Sequence, residues 1–229
     1  VYTIDSAYSG GVLAPNGDIH FVAWAADRGQ KISSSGVVST YSLAYTTSFA
    51  YEGGVLAPNG DIHFVPYDAR VGQKISSAGV VSTYSLVYTT TNAYTGGVLN
   101  SSNTEIYFVP NEARVGQKLE LERFFSEYVS TYSLVSTVIK AYAGGVLAPN
   151  GDIHFVPYSI TRGQKISSAG VVSTYSLVFI LASGDYRGGV LAPNGDIHFV
   201  PFSAGRGQKI ATGIENSLGF CVSPFFNKF

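Results

Sequence analysis

Four histidines, His20, His63, His154 and His198, each stand two residues after an aspartate, Asp18, Asp61, Asp152 and Asp196, in the string Asn-Gly-Asp-Ile-His-Phe-Val. Imidazoles at one repeated position could ring a metal ion. A further copy reads Asn-Thr-Glu-Ile-Tyr-Phe-Val, with Glu105 for aspartate and Tyr107 for histidine. Tyrosine suits the same half-polar packing niche and would remove a ligand from a symmetric site. The expectation is therefore structural histidines between packed layers, with no metal and no other cofactor. The carboxylates follow a hairpin turn and are read as turn chemistry. General acid-base work needs two carboxyls in different surroundings, whereas repeated positions share theirs. No Lys-Ser or Lys-Thr follows the glycine pairs at phosphate-loop spacing, and no Gly-x-Ser-x-Gly nucleophile turn occurs.

Arginine and tyrosine recur as well. Arg28, Arg162 and Arg206 share one loop position, Arg70 and Arg114 sit one residue earlier, and Tyr8, Tyr51, Tyr94, Tyr142 and Tyr186 each stand two residues before a Gly-Gly pair. Guanidinium forks and phenol rings hold anions and stack on sugars. The same side chains could instead pack between layers and bond neighbouring carbonyls, so both readings stand.

A repeat must position these residues. Gly-Gly-Val-Leu-Ala-Pro-Asn-Gly-Asp-Ile-His-Phe-Val-Pro, or a close variant, opens at Gly10, Gly53, Gly96, Gly144 and Gly188, at intervals of 43, 43, 48 and 44 residues. Gly-Gly-Val-Leu and Asp-Ile-His-Phe-Val flank Pro-Asn-Gly, which predicts two strands joined by a tight two-residue turn. Gly72 to Ser76 and Val80 to Tyr88 supply a third and a fourth strand. Such a meander has two apolar faces and must stack on its neighbours. The expected fold is all-β, a five-bladed β-propeller of four-stranded antiparallel blades in one domain spanning residues 1–229.

Val1-Tyr2-Thr3 matches Val87-Tyr88-Thr89. The first nine residues are accordingly expected to complete the unit that opens at Gly188, closing the ring by a last blade shared between the N- and C-terminal segments. A start in mid-repeat without Met is expected of a processed or truncated chain. Ile210 to Phe229 departs from the repeat, with Leu218 to Val222 a strand candidate, and the third copy inserts Leu119 to Phe125.

The composition is 45% hydrophobic and only 13% charged, as expected of strands buried on both faces, and the net charge of -1 argues against nucleic acid and acidic membrane surfaces as partners. No apolar run approaches the roughly 18 residues of a membrane span. Cys221 is the sole cysteine, which excludes an intramolecular disulfide.

The string Tyr-x-Gly-Gly-Val-Leu-Ala-Pro-Asn-Gly-Asp-Ile-His-Phe-Val-Pro resembles a propeller repeat of uncharacterised proteins from microbes and protists. The resemblance covers nearly the whole chain and implies a β-propeller, with no activity to carry over. WD40 marks are missing, Trp24 being the only tryptophan, and kelch blades place their paired glycines after the second strand.

Copies differ most in the segments between second and third strands and between successive blades, which open on one face. Variable loops on a rigid scaffold are where binding is built. The leading expectation is a non-catalytic, lectin-like module that holds a saccharide or small anionic ligand on this face through the five arginines and five tyrosines. A protein partner is also open, and the alternatives are an enzyme using the same face or a recently amplified scaffold.

Overall fold

The computed structural model describes residues 4–121, 128–179 and 184–212. Those residues form five consecutive antiparallel sheets and no helix. The first holds β1 (Tyr8–Leu13), β2 (Ile19–Ala23), β3 (Arg28–Ile32) and β4 (Val38–Ser42); the second holds β5 (Tyr51–Leu56), β6 (Ile62–Pro66), β7 (Val71–Ile75) and β8 (Val81–Ser85). The third contains β9 (Tyr94–Leu99), β10 (Glu105–Pro110), β11 (Gly116–Glu120) and β12 (Tyr128–Tyr132), and the fourth β13 (Tyr142–Leu147), β14 (Ile153–Pro157), β15 (Arg162–Ile166) and β16 (Val172–Ser176). The fifth shows three strands, β17 (Tyr186–Leu191), β18 (Ile197–Pro201) and β19 (Gln208–Ile210). The strand candidate at Leu218 to Val222 and most of the third-copy insertion, from Glu122 onward, lie outside the described residues.

The hairpin is longer than expected. Ala57 N–H donates to Asp61 O and Gly60 N–H to Ala57 O, so Pro58, Asn59 and Gly60 make a three-residue turn in which Gly60, at φ +86°, is the left-handed residue. Proline has no N–H to close a pair with Asp61, which disfavours the two-residue turn on Asn-Gly, and its fixed negative φ suits the first position of the three-residue turn. The carboxylate after the turn is structural: Asp61 accepts from Ser77 N–H at 2.9 Å and from Lys74 Nζ at 3.0 Å.

The two glycines of each pair differ in purpose. The first takes a left-handed φ, +87° at Gly53, and forms a bulge that breaks the register between Tyr51 and Gly54. The second is an empty seat: a Cβ on Gly54 would lie 2.8 Å from Val12 Cγ2 and 3.2 Å from Val22 Cγ2 of the preceding sheet. The pattern repeats at Gly97 with Val55 and Val65, at Gly145 with Val98 and Val109, and at Gly189 with Val146 and Val156. Around each seat Ile, Phe and Tyr of the later sheet close a buried cluster, such as Ile62, Phe64 and Tyr51 over Val22.

Glutamine on the third strand latches one sheet to the next. Gln73 Oε1 accepts from Ala44 and Tyr45 N–H, both at 2.9 Å, and Gln117, Gln164 and Gln208 do the same for the connectors after β8, β12 and β16. The inner strands pack in the order β1, β5, β9, β13, β17, and among the described residues β17 does not pack on β1 as its neighbours pack on each other. Tyr8 and Ser9 belong to β1, not to the last unit, because the strand begins at tyrosine, two residues before the glycine pair.

Candidate functional site

The five inner strands converge on a cavity of about 490 Å³. The residue between each strand-opening tyrosine and its glycine pair faces this axis, and it differs in every copy: Ser9, Glu52, Thr95, Ala143 and Arg187. The first residue after the second strand, or near it, supplies the walls, Trp24, Tyr67, Asn111 and Tyr158. Lys140, in the connector before β13, completes the lining with Tyr142 and the glycines at 53, 96 and 144.

Backbone geometry aims the connector residues. Ser6, Phe49, Asn92 and Lys140 all have positive φ, from +51° to +61°, and Gly184 takes the fifth equivalent place at +66°. Non-glycine residues adopt this region at a cost of about 1–2 kcal/mol, so the strain is a repeated feature of this face. It is held by hydrogen bonds to the wall loops: Phe49 N–H donates to Trp24 O, and Lys140 N–H to Asn111 O, both at 2.6 Å.

Glu52 is the chemically distinctive group. Burial raises its pKa above the ordinary carboxylate value, and a hydrogen bond from Thr95 and the charge of Arg187 only partly offset this. The phenol of Tyr67 is likewise pushed up, by burial first and then by the negative charges of Glu52, Asp68 and Glu112. Its ring packs tilted against Trp24 at 4.8 Å, and Trp24 in turn meets Phe49 at 5.1 Å. Arg187 lies over the Phe202 ring at 5.2 Å, and Lys140 reaches Glu112 at 3.7 Å. A half-buried carboxyl, two cations and an aromatic wall therefore share one small volume.

Of the ten residues singled out by sequence, only Tyr142 lines this cavity. Tyr51, Tyr94, Tyr142 and Tyr186 are buried, each ring packed 5.3 to 5.7 Å from a phenylalanine of the neighbouring strand, and Tyr8 is half-buried against Phe21. The hydroxyls of Tyr8, Tyr51, Tyr94 and Tyr186 donate to the carbonyls of Arg28, Val71, Val115 and Arg206. Strand alternation is the reason: with tyrosine pointing between blades, the next residue points to the axis. Arg28, Arg70, Arg114, Arg162 and Arg206 are exposed, and none of them lines the cavity. His63 and His154 are buried between sheets, edge-on or tilted to Tyr84 and Tyr175 at 5.8 and 5.3 Å, with Tyr107 and Tyr132 in the matching place. Among the described residues no cluster of three or more His, Cys, Asp and Glu is placed to hold a metal ion.

The signal for the axial residues was present in the sequence. In a chain whose copies are otherwise nearly identical, Tyr-x-Gly-Gly varies only at x, through serine, glutamate, threonine, alanine and arginine.

No family model matches the chain, and no curated protein does. Solved structures do. A catalytically inactive histidine-to-alanine variant of virginiamycin B lyase from Staphylococcus aureus, with quinupristin, superimposes with a TM-score of 0.77 at 17% identity, over 93% of this chain and 70% of the other. A streptogramin B lyase matches at 0.76 and 20% identity, over 92% and 67% of the two chains. A functionally unknown protein from Desulfotomaculum acetoxidans matches at 0.66 and 12% identity, over 93% and 71%. The fold is that of a β-propeller-like repeat protein. The lectin-like, non-catalytic expectation is overturned, because lyases carry this architecture and four of the five rings meant to stack on sugar are buried.

Proposed function

We propose that the chain is an enzyme whose active site is the axial cavity, with Glu52 as the general acid-base residue and Arg187 and Lys140 as its anion-holding partners. The observation that carries this reading is the raised carboxyl of Glu52 beside Arg187 in a cavity walled by Trp24, Tyr67 and Tyr158. A carboxylate whose pKa is moved toward neutrality is a stronger base while still ionised at working pH. The chemistry this supports is proton abstraction beside a carbonyl. Glu52 takes the proton, the guanidinium of Arg187 stabilises the charge that develops on oxygen, and the aromatic wall holds the substrate body.

This assignment rests on a catalytic carboxyl, not on a histidine, since none of the four histidines lines this cavity. The five sheets are read as successive blades round the axis, which is what allows Glu52 and Arg187, from the second and fifth sheets, to face one volume. The test is turnover of quinupristin and of a panel of simple esters and lactones in deuterated water, followed by chromatography and by the mass gained on exchange at the carbon beside the carbonyl. Glu52→Gln, which keeps the shape and removes the base, is expected to lower kcat/KM by about 10²- to 10⁴-fold with an unchanged circular dichroism spectrum. Turnover that survives this change overturns the assignment of Glu52.

A further inference from the structure

The residue that follows each second strand is fixed from both sides of its backbone. Tyr67 N–H donates to Ala50 O and Tyr67 O accepts from Ala93 N–H, both at 2.8 Å; Tyr158 N–H donates to Ala141 O and Tyr158 O accepts from Asp185 N–H, both at 2.7 Å. Trp24 and Asn111 are held in the same way, by Ala7 O with Phe49 N–H and by Ala93 O with Lys140 N–H. Trp24, Tyr67 and Tyr158 line the cavity and are half-buried, so part of each ring is open to it. Their pairs, Trp24 with Tyr67 at 4.8 Å and Tyr158 with Phe202 at 6.3 Å, present π surface on a backbone already ordered before a ligand arrives. Asn111 interrupts this aromatic belt, and its carbonyl is the one that holds Lys140. The charge of the lining is one-sided, with Lys140 and Arg187 against the single carboxyl of Glu52. Lys140 keeps only a loose pair with Glu112 at 3.7 Å, and its side chain is 56% exposed.

We infer that the substrate of this cavity is an aromatic carboxylate, its ring against Trp24, Tyr67 and Tyr158 and its carboxylate between Lys140 and Arg187. The inference rests on the axial cavity being the active site and names what that site holds. A benzene ring gains from edge and face contacts with such a wall, where a saturated ring of similar size does not. A carboxylate matches the fork of a guanidinium and the point charge of an ammonium. The volume of about 490 Å³ suits one small molecule of this kind. The oxygen on which Arg187 stabilises charge is then a carboxylate oxygen already in its grasp.

Trp24 is the sole tryptophan and lines the cavity, so its fluorescence reports occupancy directly. Three probes provide the test: phenylacetate, which does not absorb at the red edge of tryptophan excitation; cyclohexylacetate, with the same charge and no π face; and phenylethanol, with the ring and no charge. Phenylacetate is expected to change Trp24 emission saturably, with a Kd of about 1 mM or below. Each of the other two is expected to bind about 5-fold or more weakly. Arg187→Gln and Lys140→Gly, both at exposed positions, are each expected to weaken phenylacetate about 10-fold while leaving phenylethanol and the circular dichroism spectrum unchanged. Glu52→Gln removes the opposing charge and is expected to bind phenylacetate at least as tightly. That variant separates the two readings. Phenylacetate bound as expected by a chain whose turnover ignores Glu52→Gln removes the role of Glu52 and keeps the ligand class. Turnover lost in Glu52→Gln without any binding of phenylacetate keeps the active site and overturns the ligand class. Equal affinity for phenylacetate and cyclohexylacetate, no saturable change, or an affinity that neither cation variant moves also overturns the inference.

Discussion

At the scale of single residues, the site is set by which side chains are forced to differ from their repeat-mates. Glu52 is the only carboxyl among the five axial positions, and burial raises its pKa. The acid limb of a pH profile of kcat/KM is therefore expected above the ordinary glutamate value of about 4.3, and to vanish in Glu52→Gln. The stability consequence has a definite sign. A folded-state pKa above the unfolded one means that the folded chain binds the proton more tightly, so stability grows as pH falls through that pKa. At neutral pH Glu52→Gln is accordingly expected to melt at a higher temperature than the unaltered chain. Lys140 makes a second case. Its φ of +56° suits glycine, and its surface pair with Glu112 at 3.7 Å contributes little. Lys140→Gly is expected to gain about 1 kcal/mol in urea unfolding while raising KM for an anionic substrate.

At the scale of elements, the blade is held by devices that recur in register. The third-strand glutamine satisfies two connector N–H groups at once, whereas the strand-opening tyrosine satisfies a single carbonyl. Gln73→Leu leaves two donors without their acceptor, at about 1–3 kcal/mol for each buried group left unpaired. Tyr51→Phe removes one hydroxyl from a ring that stays packed on Phe64, at about 1 kcal/mol. Chemical denaturation is expected to rank the two variants in that order, Gln73→Leu being the less stable. An equal or reversed ranking would mean that the latch between blades is weaker than the pin within one.

At the scale of the whole molecule, histidines packed between sheets couple the fold to pH. Burial brings His63 and His154 down to about 4, below the unfolded value of about 6.5, while Asp61 and Asp152 are lowered by their lysine and backbone partners despite burial. Depressed histidines bind fewer protons folded than unfolded, so their contribution is complete above about pH 6.5 and is lost between there and about 4. The aspartates lose theirs only lower, as pH falls through their depressed folded values. Melting temperature is expected to fall between about pH 6.5 and 4 and to fall less in His63→Tyr, which adopts the residue that the third sheet already uses at position 107. A flat profile across that window in the unaltered chain would count against this coupling.

What the sequence determined by itself was everything governed by local rules repeated five times. Strand alternation, the turn residues and the spacing of glycine pairs specify antiparallel meanders that must stack, and the tyrosine at position 107 placed the histidines in packing. The direction of a side chain at a strand entry was not legible, because it depends on where the strand starts. β5 begins at Tyr51, two residues before the glycines, and the bulge at Gly53 then sends Tyr51 between sheets. The tertiary structure alone decided that Glu52, Lys140 and Arg187 share a cavity, since they lie on separate blades up to 135 residues apart in sequence and no local pattern measures distances across an axis. A repeat states what each blade offers its neighbours, and only the angle accumulated from blade to blade decides whether the last one meets the first.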